Sequence, residues 1–120
     1  MALGKILRRR VLTSLGKELL PLAIGLLFAA FLWENTLLLT VLFAALIILV
    51  LAFSYKRGDE WIFVLGFVLS LVIEGVGVAA GYQSFARPTA WGIPLWIPLA
   101  WGYGFIFVKR LGLILNEALI

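Results

Sequence analysis

The chain contains neither cysteine nor histidine. Without thiols it cannot form disulfides, thiolate metal sites, thioesters, or prenyl and palmitoyl attachments. Without imidazole it lacks the usual ligands of haem, copper, zinc and di-iron centres, and the commonest general base of catalysis. No metal and no cofactor is therefore expected. Charge is also scarce: 13% of the 120 residues are charged, against roughly a quarter in soluble domains. Nothing in the composition points to nucleic acid.

What fills the space is apolar. Hydrophobic residues make up 64% of the chain and the mean hydropathy is +1.14. A soluble domain of this length could not hide so much apolar surface, so the expected fold is all-α, an integral membrane bundle of four transmembrane helices in a single domain, 1–120. The apolar stretches run over about 19–33, 36–55, 61–82 and 93–108. Trp33, Tyr55, Trp61, Tyr82 and Trp91 lie at their ends, where an aromatic belt anchors a helix at the interface. Pro21 falls in what would be a first turn, where proline is tolerated.

Residues 1–18 mix Leu3, Ile6, Leu7, Val11 and Leu15 with Lys5, Arg8, Arg9, Arg10 and Lys17. An amphipathic helix lying on an anionic leaflet would account for this pattern. A solvated basic tail that sets orientation would account for it equally. Nine of the ten basic residues fall on the side of the termini and the Lys56-Arg57 turn, leaving only Arg87 for the other. That bias predicts both termini on the cytoplasmic side of a cytoplasmic-type membrane.

Glu74 is the residue that most needs explaining. It lies 13 positions after Trp61 and eight before Tyr82, which places it about 12 Å below the outer interface at the helical rise. An ionised carboxylate is costly at that depth, and with no basic residue near its level Glu74 should be largely protonated. Gly66, Ser70, Glu74, Gly77 and Gly81 recur at intervals of four, four, three and four, so they share one helix face. Small residues on one stripe admit a neighbouring helix, which puts Glu74 in a seam. Packing alone, with Glu74 as a protonated hydrogen-bond donor, would also explain the stripe.

The fourth stretch carries Pro94, Trp96, Pro98 and Trp101. Pro98 cannot donate to the carbonyl of Pro94, so a kink or opening is expected there, tolerated only beside protein or a cavity. Counted inward from Ile93, Trp101 is eight residues deep, the depth of Glu74. Ser70, Glu74, Gly77, Trp96 and Trp101 are thus the candidate lining of a site, with Glu74 as candidate acid. On the outer face, Glu34 is expected to pair weakly with Arg87.

The run Glu74-Gly75-Val76, then Gly81-Tyr82, Gly92-Ile93-Pro94 and Ile97-Pro98-Leu99-Ala100-Trp101 resembles polytopic membrane proteins of carotenoid biosynthesis, the hydratase and cyclase-like group. Those proteins share a Glu-x-x-Gly helix end, a Gly/Tyr-bearing loop, and a Gly-Val-Pro helix start leading to Pro-Leu-x-Trp. The likeness covers about 30 residues, 74–101. It implies a bilayer-facing pocket for a long isoprenoid chain, with Glu74 as its acid.

Three classes of function compete. One is a pocket protein for a lipid or isoprenoid chain, which could protonate an alkene if it is an enzyme. The second is a non-catalytic accessory or assembly subunit that uses the small-residue seam as its partner surface. A small proton-coupled transporter comes third. Its usual form resembles the small multidrug resistance exporters, but those carry their acid in the first helix. The candidate partners are membrane lipids, a second copy of the chain, or a partner membrane subunit.

Overall fold

A computed structural model describes the backbone of residues 2–81, 83–85 and 92–119, with side chains for all of these except 2, 3, 6, 7, 118 and 119. The described residues form four helices: α1 (Ala2–Leu32), α2 (Thr36–Ser54), α3 (Asp59–Ala80) and α4 (Trp96–Leu119). Each contains a stretch of 19 to 25 residues long and apolar enough to cross a bilayer. The bundle is elongated, 56 × 25 × 24 Å. Its surface is inverted relative to a soluble protein: Phe31 is 80% and Phe53 84% exposed, side chains that only lipid tails would solvate well. This is a small polytopic membrane protein.

Short turns reverse the chain between α1 and α2 and between α2 and α3, and α4 runs back along α3 until Lys109 and Arg110 reach Asp59. Between α1 and α2, Asn35 caps the new helix, its side-chain oxygen accepting from the Leu38 N–H at 3.1 Å. Between α2 and α3, Gly58 takes a left-handed conformation with φ +89°, which a residue bearing a Cβ rarely adopts. The start of α1, the α2–α3 turn and the end of α4 therefore lie together at what we call the termini end.

Helix α4 packs against α1, α2 and α3, and α1 also packs against α2. The face that α4 turns inward runs through Leu99, Tyr103, Ile106 and Arg110; Ile106 is fully buried, and Tyr103 meets Ile47 and Val50 of α2. The α3–α4 approach is closer. A Cβ on Gly66 would sit 2.8 Å from the Trp101 carbonyl oxygen, and one on Gly102 would sit 2.6 Å from the Phe63 ring. Only a glycine on each helix permits this spacing. In lipid, where no hydrophobic force drives apolar helices together, such close packing is the main source of adhesion.

Four expectations change. The basic segment 1–18 is not a separate interfacial helix: it continues into the first span, because Leu, Arg, Lys and Glu propagate a helix and nothing between them ends it. Pro21 accordingly lies mid-helix rather than in a first turn, and withholds one N–H from the carbonyl of Lys17. Pro98 does not open α4, which begins at Trp96. As the third helical residue, Pro98 occupies a position whose N–H would have no intrahelical acceptor in any case. The helix also runs past Val108 to Leu119, through Lys109 and Arg110.

Gly102→Val should lower thermal stability in detergent micelles by about 1–3 kcal/mol, the usual cost of forcing volume into a filled contact. The same change at Gly104, whose Cβ would meet nothing within 4 Å, should have little effect. Equal melting of the two variants would contradict the seam.

Candidate functional site

Polar side chains gather at both ends of the bundle. At the far end, α3 stops at Gly81, left-handed with φ +84°, and the chain folds back so that the Gln83 N–H donates to the Gly77 carbonyl at 3.2 Å. The Gln83 side chain then lies on Gly77, where an added Cβ would come within 2.6 Å of its Cδ. From there its amide donates to the Glu74 carbonyl oxygen at 3.3 Å and to the Glu74 carboxylate. Glu74 is half-buried, while Ser70 is fully buried with its hydroxyl oxygen unpartnered among the described residues.

The structure thus joins Glu74 to Gly77 through Gln83, a residue to which the sequence pattern gave no role. It does not bring the tryptophans to the same place. Trp101 has its carbonyl against Gly66, two helical turns or about 12 Å along α3 from Glu74. Trp96 turns the other way and stacks on Phe43 of α2, with ring centroids 5.9 Å apart and planes 12° off parallel. The depth match failed because the chain enters lower than the count assumed: Gly92 already packs against Val78 of α3, so Trp101, nine residues further on, lies deeper than Glu74. Glu34 is exposed in the α1–α2 turn; its expected pairing with Arg87 lies outside the described residues.

The termini end holds a larger constellation. Asp59, the first residue of α3, is fully buried. Its carboxylate accepts from Arg110 Nη2 at 2.5 Å, from Lys109 Nζ at 2.7 Å and from the Lys56 N–H at 3.0 Å. Arg110 is 2% exposed and also donates to the Ser54 carbonyl at 2.7 Å and the Ser54 hydroxyl at 3.1 Å, with Glu18 of α1 at 3.5 Å. Lys109 donates to the Arg57 carbonyl at 2.6 Å. All four helices therefore meet in one ionic cluster. The negative charge of Asp59 at the N-terminus of α3 also suits the helix dipole. Beside it, Tyr55 donates to Glu60 at 2.5 Å, and that hydrogen bond holds the phenol above its ordinary pKa.

Next to the cluster lies a cavity of about 610 Å³ between α1, the end of α2 and α4. Ser14, Lys17, Ser54, Lys56 and Arg110 contribute polar groups to its wall, and Leu113 and Ile114 make it partly apolar. Glu18 and Glu117 also line it, but each faces a cation already: Glu18 pairs with Arg110, and Glu117 with Arg10 at 3.7 Å. Lys17 and Lys56 have no ion-pair partner among the described residues. Asp59, Lys109 and Arg110 read, in sequence, as a charged turn and a pair of orientation signals. The 3-4 spacing of Trp96, Leu99, Tyr103, Ile106 and Arg110 was the available clue that Arg110 lies on the inward face.

No family model matches the chain, and no curated protein or solved structure shows significant similarity to it. The resemblance to carotenoid-biosynthesis proteins therefore rests on the residues quoted above.

Gln83→Ala should destabilise the protein by about 1–3 kcal/mol, the usual cost of leaving a half-buried polar group without its partner. Glu74→Gln, which keeps an acceptor oxygen for the Gln83 amide, should cost less than about 1 kcal/mol. Chemical unfolding in mixed micelles measures both. A larger loss for Glu74→Gln than for Gln83→Ala would show that the charge, not the hydrogen bond, matters.

Proposed function

We propose that this protein binds a membrane lipid, and that the polar end of the lipid occupies the cavity at the termini end. The observation that carries this reading is the cavity itself. At about 610 Å³ it falls within the usual range of small-molecule sites, about 300–1,000 Å³. It combines hydroxyl and cationic groups with an apolar wall, as an amphiphile requires. The positive-inside pattern would put this end at the cytoplasmic face, level with lipid headgroups. The bound molecule would then be one that the surrounding leaflet supplies.

A second reading follows from the far end. Glu74 is half-buried and, among the described residues, held by one side chain, Gln83. An isoprenoid chain lying along α3 could displace that amide and meet the carboxyl group, which would then serve as an acid. This keeps the role that the resemblance implies for Glu74 but dispenses with Trp96 and Trp101. For the reading as an accessory subunit, Gly66 and Gly77 of the small-residue stripe are covered by α4 and by Gln83, which leaves Gly81 as its open glycine.

Purification in a mild detergent, followed by solvent extraction and mass spectrometry, tests the proposal. It should give about one equivalent of a lipid class enriched over the bulk membrane and retained through delipidating washes. Lipid of bulk composition, lost progressively on washing, would refute it. Recovery of an isoprenoid that disappears in Glu74→Gln but persists in Lys17→Ala would favour the second reading.

A further inference from the structure

Of the polar groups around the termini-end cavity, most are already committed. Arg110 spends both terminal nitrogens on Asp59, Glu18 and Ser54. Glu18 and Glu117 face Arg110 and Arg10. Uncommitted donors remain: the ammonium groups of Lys17 and Lys56, which reach the cavity from α1 and from the α2–α3 turn. A third lies in the wall, since the Nε of Arg110 is buried and has no hydrogen-bond partner among the described residues. The Arg110 side chain is held rigidly and is 2% exposed. The acids are answered and the bases are not.

This surplus selects the sign of the ligand. Building on the lipid-binding reading above, we propose that the cavity is a binding site for the phosphate of an anionic membrane lipid, held between Lys17 and Lys56 against the wall formed by Arg110. The chemistry fits in three ways. A phosphate offers several acceptor oxygens to donors arriving from different helices, and charge-assisted hydrogen bonds of this kind are the strong ones. Ser14 and Ser54 supply hydroxyls on the same wall, suited to the ester oxygens or to a hydroxylated headgroup. Leu113 and Ile114 supply the apolar side, along which the glycerol and first methylenes would leave toward the bilayer. The carboxylates do not repel the ligand in proportion to their number, because each is screened by its own cation. The basic residues Arg8 and Arg9 lie further up α1 and outside the cavity lining; they would attract the same lipid without selecting it.

The test uses the full chain in nanodiscs or micelles and reads lipid binding by native mass spectrometry alongside thermal shift. The ligands are phosphatidylglycerol, phosphatidylcholine, and inorganic phosphate added to phosphatidylcholine. The proteins are wild type, the double variant Lys17→Ala/Lys56→Ala, and Arg8→Ala/Arg9→Ala. Lys17 and Lys56 are exposed, so the double variant should melt like the wild type in phosphatidylcholine. Phosphatidylglycerol should bind and stabilise the wild type and Arg8→Ala/Arg9→Ala. Its affinity for the double variant should be weaker by about tenfold or more, as expected for the loss of one or two charge-assisted contacts. A loss of about tenfold in Arg8→Ala/Arg9→Ala and none in the double variant would overturn the site in favour of diffuse attraction to the basic segment. Saturable binding of inorganic phosphate, as strong as that of the lipid, would overturn the lipid source and leave a free-anion site. Equal binding of phosphatidylglycerol and phosphatidylcholine, which share the phosphate but differ in net charge, would overturn selection for an anionic lipid while leaving the broader lipid-binding reading intact. Absence of any retained lipid would defeat both.

Discussion

The buried carboxylate of Asp59 is the group on which the arrangement of the helices depends. It sits at the first residue of α3 with no exposed surface and takes donors from Arg110, Lys109 and the backbone of Lys56. Desolvating a carboxylate and a guanidinium costs several kcal/mol each, so such a pair contributes little net stability unless its remaining hydrogen bonds are made. Here most of them are: Arg110 also reaches two atoms of Ser54 and the carboxylate of Glu18. What the cluster contributes is specificity. With α1, the end of α2, the start of α3 and α4 all donating to or accepting from it, a slip of any one helix would strand a charge.

The second constraint is steric and lies deeper in the bundle. Glycines at 66 and 102 let α3 and α4 approach until backbone meets backbone, and Ile106 and Tyr103 fill the opposite side of α4. The ionic cluster fixes the register of α4 at one end and the glycine seam fixes its separation from α3 further along. The cavity lies in the gap that α4 leaves against α1. There α4 has its polar residues satisfied on one side, and its neighbours on the other carry Lys17 and Lys56, which have no ion-pair partner among the described residues.

The four spans were legible from hydropathy because each is continuous and bounded by aromatic or charged residues. The seam on α3 was legible as well, since Gly66, Ser70 and Gly77 keep helical spacing and all three are buried. The harmless placement of Pro98 was not. It turns on whether α4 begins at Ile93 or Trp96, a difference of three residues, which is within the usual uncertainty of helix ends. Trp101 lies at the level of Gly66 for another reason: Gly92 already packs against Val78, so the chain enters the bundle lower than a count from the outer interface implies. The role of Gln83 depends on a left-handed turn at Gly81 that returns the chain over the helix, and no local pattern announces the return. The Asp59–Arg110 pairing joins residues 51 positions apart. Charges beside a predicted membrane boundary read by default as solvated, and only the inward face of α4 shows that Arg110 is not.

A double-mutant cycle on Asp59 and Arg110, with unfolding free energies measured in bicelles, decides whether this ion pair holds the helices in register. Asp59→Ala and Arg110→Ala should each destabilise by about 3–5 kcal/mol, since either takes from a buried charge its closest counter-charge. The double variant should lose far less than the sum of the two, giving a coupling of about 2 kcal/mol or more. Additive losses, with a coupling near zero, would mean that the two charges are independently solvated and that nothing locks the helices together at that end.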